Sequence, residues 1–350
     1  MKSFEVENKA DFVASWITYL STATGILKAM GKEVDLVDVA GYSGNAFHLN
    51  TSKGDTCPSS PTVAPYETFA EGLESFGWKV EQIRESPDFN PSDDDKQNER
   101  AKNYFEEIKD TVTQTRRPVG IWGVPNVPEF GIVNGFDGDK YVVSTFRSLP
   151  TMPLEDDPIS YLKLHAPGGL FKMIFKDIID VKEDSARDKE AVERAVAIAK
   201  GIEEIEKYVS GPESFDEWAL NLETGIVPES QDEMKELTDI TKLNYHGNSY
   251  VAACTQEGLD LAAAFLERLA EYYQGQPFCN KLVQASENYR QAAALMKEYT
   301  ELFPFSHDKN WDPDEFPDGK RYQGARFLRK AKPHVVKAIS QMEDALKKWK

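Results

Sequence analysis

The chain has 350 residues, 40% hydrophobic and 29% charged, and its 59 Asp and Glu against 41 Lys and Arg give a formal net charge of −18. That balance suits water-facing domains with their own cores, and it repels phosphate backbones and anionic bilayers, so neither nucleic acid nor membrane is an expected partner. No apolar run approaches the roughly 18 residues of a membrane-spanning helix, and "MKSFEVENKADF" lacks the basic and apolar regions of a signal peptide, so the expected location is cytoplasmic.

In chain order, Phe12, Trp16, Leu20, Ala23, Leu27 and Met30 recur at helical spacing, and Gly31 closes the run as a C-cap. "EVDLVDVAG" is short and apolar, and reads as a strand or a helical turn. "GYSGNAFHLNTSKGDTCPSSP" has the Gly, Ser, Asn and Pro content of irregular loop with a short strand inside it. Tyr66, Phe69, Ala70, Leu73 and Phe76 mark a second amphipathic helix that stops at Gly77, and "WKVEQI" alternates as a strand. The acidic "SPDFNPSDDDKQNER" leads into a third helix over about 97 to 115. Three apolar strands follow, "PVGIWGV", "EFGIVNGF" and "KYVVSTF", and the "DGD" between the last two is a hairpin signal.

Helices followed by neighbouring strands make an α+β order with an antiparallel sheet, not the alternation of a parallel doubly wound fold. The proline-rich "LPTMPLEDDP" leads out of the sheet, and "FKMIFKDI" adds a strand after the "HAPGG" turn. Beyond about 185 the pattern is helical. "ARDKEAVERAVAIAKGIEEIEKYV" comes first, then a short helix around "SFDEWALNLETG", then long amphipathic segments near 247–274, 278–303 and 320–348. The expected organisation is an α+β domain over 1–165 and a mainly helical, all-α domain over 166–350.

Cys57, Cys254 and Cys279 are too few and too scattered for a disulfide framework, and show no CxxC spacing. The five histidines form no HExxH or comparable pair, so no metal or cofactor is expected. "GYSG" is one residue short of a GxSxG nucleophile elbow and lacks its strand-turn-helix context.

A helix ending in "LKAMG", the "GYSGNAF" loop and the late "RPVGIW…EFGIVNGFDGDKYVV" hairpin together resemble the papain-like fold. More narrowly, roughly residues 10 to 150 are similar to the N-terminal domain of the butirosin biosynthesis protein H-like family, which is related to bacteriocin-processing cysteine peptidases, and the rest matches only in layout. The resemblance implies a papain-like domain followed by a helical region. It also implies thiol chemistry on amide or acyl groups, with a Cys at the start of the first core helix, a His at the start of a later strand, and an Asn or Asp on the next strand. His would take the thiol proton and the third group would fix the imidazole tautomer.

This chain departs from that set at each place. The first helix carries no cysteine, and its nucleophile position falls near Trp16 or Thr18. Glu129-Phe130 stands where the histidine would open the strand, and Ser144 or Thr145 stands where the acid would follow.

The expectation is therefore a catalytically inactive relative whose cleft binds a small molecule or peptide. Trp16, Thr18, Trp122, Glu129 and Ser144 are its candidate binding residues, though Glu129 also reads simply as a strand-end carboxylate and the two tryptophans as core. The alternatives are an acyltransferase or amidase with an atypical site built on Thr18, Glu129 or Cys57, and a protein-interaction module using the helical half. Cys57 sits in a Pro-Ser loop without the helix N-terminus or adjacent cation that activates a thiol. His48 is expected to face away from the core. His165, His246, His307 and His334 read as solvated or structural.

Overall fold

The computed structural model describes residues 3–85, 89, 94–150, 157–202, 207–237, 240–306, 308–309 and 311–350. His307 lies outside the described residues, as do seven of the fifteen residues of the acidic connection (86–88 and 90–93) and most of the proline-rich segment (151–156).

Among the described residues the elements run β1 (Phe4–Glu5), α1 (Thr18–Ala29), α2 (Leu36–Ser43), β2 (Asn50–Ser52), α3 (Tyr66–Leu73), β3 (Trp78–Glu85) and α4 (Asp95–Thr115). They continue with β4 (Val119–Trp122), β5 (Phe130–Asp137), β6 (Lys140–Ser144), β7 (Ile159–Ser160), β8 (Leu170–Ile178), α5 (Asp184–Ala199) and β9 (Tyr208–Ser210). The last are α6 (Glu213–Thr224), α7 (Gln231–Glu236), α8 (Tyr245–Tyr272), α9 (Cys279–Leu302) and α10 (Asp318–Lys348). The architecture is mixed α+β, with an antiparallel sheet and a C-terminal helical region.

The chain forms two compact units, Met1–Val39 with Ala70–Lys182, and Ala40–Phe69 with Glu183–Lys350. The boundary expected at 165 is thus displaced, and the chain crosses between units within α2 and again within α3. The reason is pairing at long range: β2 is hydrogen-bonded to β9, from Asn50 opposite Ser210 to Ser52 opposite Tyr208. A strand of three residues cannot stand alone in water, so it goes where its partner is.

In the first unit the sheet runs β3-β8-β4-β5-β6-β7, with β1 added on β5. Every pairing in it is antiparallel. β5 and β6 are joined by Gly138 and Asp139, and Gly138 supplies the positive φ (62°) that this two-residue turn requires. Gly120 and Ile132, opposite each other on β4 and β5, face α1: a Cβ on Gly120 would stand 2.7 Å from Thr22 Cγ2. Gly25 lets α1 settle, since a Cβ there would lie 2.2 Å from the Asp11 carbonyl oxygen and 2.8 Å from Ile132 Cδ1. Ile121 and its partner Lys172 face the other way, where Lys172 pairs with Glu107 of α4. The sheet is therefore covered by α1 on one side and α4 on the other. Phe105 of α4 meets Tyr141 edge-on at 5.0 Å.

In the second unit α8, α9 and α10 pack as successive antiparallel helices, with α6 against α10. Ser286 donates to the Ala263 carbonyl at 2.8 Å, and Tyr299 to Asn248 at 2.7 Å. Trp218 of α6 donates to the same Asn248 oxygen at 2.8 Å. The returning segment 40–69 is bound into this core: Phe47 packs on Phe265 and Tyr289, and a Cβ on Gly41 would collide with the Phe265 ring at 2.1 Å.

Candidate functional site

α1 begins where Ile17 leaves helical geometry (φ −95°, ψ 89°), with the Ser15 hydroxyl accepting from Ile17 N–H at 2.9 Å. Thr18 is the first helical residue and is 7% exposed. Across from it the chain turns between β4 and β5. Gly123 (φ 82°) and Asn126 (φ 61°) take left-handed conformations, and the Gly123 N–H closes the turn on the Glu129 carbonyl at 2.8 Å. Residue 123 also accepts from His165 N–H at 3.1 Å, which ties a third segment to the turn. Glu129 is thereby held, half-buried, immediately before β5.

These two ends meet. The Thr18 hydroxyl donates to Glu129 Oε2 at 2.5 Å and accepts from the Phe130 N–H at 3.1 Å. One hydroxyl oxygen thus links a helix start, a carboxylate and a strand start. As chemistry, a carboxylate on a hydroxyl is a base beside an alcohol, but the same oxygen already spends a lone pair on a backbone amide. Its remaining character is that of a positioned hydrogen-bonding group.

The other expected residues stand as follows. Trp16 is 42% exposed, two residues before Thr18. Trp122 is only 7% exposed; its indole donates to the Pro167 carbonyl at 3.1 Å and its ring meets Phe130 at 5.0 Å, so it is a core residue behind the pair. Ser144, 8% exposed and opposite Ile132, accepts from the Phe12 N–H at 2.9 Å. Thr145 accepts from the Arg147 N–H at 3.2 Å. The hydroxyls of Ser144, the last residue of β6, and of Thr145 just after it are thus engaged by backbone amides.

Cys57 belongs to the second unit. Its thiol lies 2.8 Å from the Ser59 hydroxyl, which lies 2.7 Å from the Tyr208 hydroxyl. Burial and the nearby Cys57 and Asp55 push the Tyr208 phenol up. His48 does not face away from the core. Its Nε2 meets the Val63 carbonyl at 3.1 Å, so that nitrogen carries the proton, and its ring stands edge-on to Phe69. Enclosure of the ring lowers its pKa to about 4. His246 lies against Phe305 and His334 beside Asn288.

Among the described residues no group of three or more His, Cys, Asp or Glu is arranged to hold a metal ion, and no helix is long and apolar enough to cross a membrane. A cleft of about 640 Å³ opens along α4 between Glu85 and Glu107, and one of about 310 Å³ lies beside Asp55 and Lys242. Neither is lined by the residues expected from sequence.

Two buried charges were not anticipated. Lys172, 1% exposed, is held by Glu107 under α4, and the only trace in "FKMIFKDI" is a lysine at an apolar position. Asp188, 3% exposed, accepts from Tyr42 at 2.6 Å, Tyr273 at 3.0 Å and Arg187 at 3.1 Å.

No protein-family model matches the chain, and no curated protein matches it.

Proposed function

We propose that the first unit is a papain-like domain that has lost its thiol catalytic set, and that the Thr18–Glu129 pair with Trp16 forms a binding site for a small molecule or peptide. The ligand carries a cationic or hydrogen-bond-donating group that meets Glu129 and an apolar part that lies on the Trp16 ring. The observation that carries this reading is the double engagement of the Thr18 hydroxyl, held by Glu129 on one side and by the Phe130 amide on the other. The start of α1 and the start of β5 meet at this hydroxyl, which supports the reading. The groups at those places are a hydroxyl and a carboxylate. They can orient a ligand without a nucleophile to attack it.

A second reading is favoured by the pairing itself. A carboxylate that accepts from a hydroxyl at a helix start is the arrangement of a weakly activated alcohol, as an atypical acyltransferase or amidase would need. The two readings separate by experiment. A panel of Lys- and Arg-containing dipeptides and simple amines is titrated against the native protein and Glu129→Gln, and p-nitrophenyl acetate turnover is followed for the native protein and Thr18→Val. Binding lost in Glu129→Gln with no turnover supports the binding site. Turnover that disappears in Thr18→Val supports the enzyme and overturns the first reading.

A further inference from the structure

The longest stretch of this acidic chain without a carboxylate is also rich in cations. Residues 319–342 contain no Asp or Glu, although at the chain's ratio of 59 in 350 about four would fall in 24 residues. The same stretch carries Lys320, Arg321, Arg326, Arg329, Lys330, Lys332 and Lys337, and all of it lies within α10.

Four of the seven cations have acidic partners. Lys320 pairs with Glu315, Arg321 with Asp318, Arg329 with Glu223, and Lys332 with Glu213 and Asp216. Arg326, Lys330 and Lys337 have no ion pair or hydrogen bond among the described residues, and all three are exposed. Their spacing of four and seven places them on one helix face, about 16 Å from first to last. The face also exposes Tyr322 (53%) at one end, with Val336 (46%) on its flank near the other. The carboxylates of α6 that border it, Glu213, Asp216 and Glu223, are already taken by Lys332 and Arg329.

A solvated helix face normally intersperses both signs, which supports the helix and costs nothing in solubility. A one-sign stripe between apolar contacts has a different use, because it selects an opposite charge. We propose that this face of α10 docks an acidic polypeptide segment of a partner protein, one whose carboxylates meet Arg326, Lys330 and Lys337 and whose apolar side chains meet Tyr322 and Val336.

A nucleic acid fits poorly. Three cations neutralise few phosphates, and a long polyanion leaves the stripe and runs along a molecule of net charge −18. A short acidic segment is confined within the local field, since charges beyond about 8 Å are screened at physiological salt.

The test uses the full chain and a fluorescein-labelled 16-residue peptide of four Glu-Leu-Glu-Glu repeats, with a 16-nucleotide single-stranded DNA for comparison. Fluorescence polarisation at 50 mM salt is expected to give saturable peptide binding. Raising salt to 300 mM, or the combined change Arg326→Gln, Lys330→Gln and Lys337→Gln, is expected to weaken it about tenfold. Tyr322→Ala with Val336→Ala should weaken it by a smaller factor. All substituted side chains of α10 are exposed, and an unchanged unfolding midpoint confirms that the variants fold. The proposal is overturned if native protein does not bind the peptide, if the triple variant binds it equally, or if DNA binds more tightly. Self-association in sedimentation that the triple variant abolishes would also overturn it, in favour of a second copy of this chain.

Discussion

Glu129 and Asp188 are both acids held by hydroxyl groups, one in each unit, and they are held for different ends. Asp188 is 3% exposed, and its two oxygens are divided among Tyr42, Arg187 and Tyr273, which come from α2, α5 and the end of α8. Its charge is fully invested in joining those elements, and in return it holds the Tyr42 phenol far above its ordinary value, burial being the larger cause. Glu129 stands half-buried before β5 and holds the Thr18 hydroxyl at the mouth of a helix. A carboxylate enclosed by donors is part of the fold; one that keeps a face toward solvent can meet a ligand as well. The contrast makes the two acids separable by mutation.

The largest difference is expected at Asp188. Asp188→Ala leaves the buried Tyr42 phenol and the part-buried Tyr273 phenol without their shared acceptor and Arg187 with Asp184 alone, and should lower stability by about 3 kcal/mol in urea unfolding. Glu129→Gln keeps an acceptor for Thr18 and should cost no more than about 1 kcal/mol. Equal costs for the two substitutions would erase the distinction.

Next comes pH. His48, on the segment 40–69 that crosses into the second unit, has a folded pKa lowered to about 4 by enclosure, against 6.5 when unfolded. Between these values the unfolded state binds more protons, so stability is full above pH 6.5 and falls as pH drops toward 4, by up to about 3 kcal/mol. His48→Gln should flatten that part of the urea-midpoint profile. A native profile already flat from pH 7 to 4.5 would contradict the enclosure of the ring.

A smaller effect is expected at Thr18. Thr18→Val leaves the Phe130 N–H and the Glu129 carboxylate without the shared hydroxyl, at about 1–3 kcal/mol, whereas Thr18→Ser restores most of it. If valine and serine behave alike in thermal unfolding, the hydroxyl is not what joins helix to strand.

The same contrast describes what the sequence disclosed. The long helices were legible because an apolar stripe repeated over 24 to 31 residues has one interpretation; α8, α9 and α10 lie close to where periodicity puts them. The β5–β6 hairpin was legible from Gly138. "LVDVAGYS" was ambiguous because eight mostly apolar residues fit strand or helix alike, and it is α2. Phe12 and Trp16 share the spacing of α1 but precede it, since the helix starts only after Ile17. Periodicity carries a helical pattern through residue 209, yet α5 ends at Ala199, Gly201 takes φ 104°, and Tyr208–Ser210 becomes β9.

Long-range placement was the least legible. Nothing within 40–69 indicates that Asn50–Ser52 pairs with residues some 160 positions later, so the excursion into the second unit was missed. Thr18 and Glu129 were reached through a family resemblance and not through their own spacing, because 111 positions separate them. Lys172 shows only as a charged letter among apolar ones, and Asp188, set among Arg187, Lys189 and Glu190, carries no signal at all.

The most direct test of the binding-site reading is calorimetry of the Lys- and Arg-containing dipeptides and amines on native protein and on Glu129→Gln. The reading predicts that at least one member binds the native protein and loses about tenfold or more in affinity in Glu129→Gln, with the unfolding midpoint of the variant within a few degrees of native. Equal binding to both proteins, or binding to neither, contradicts it.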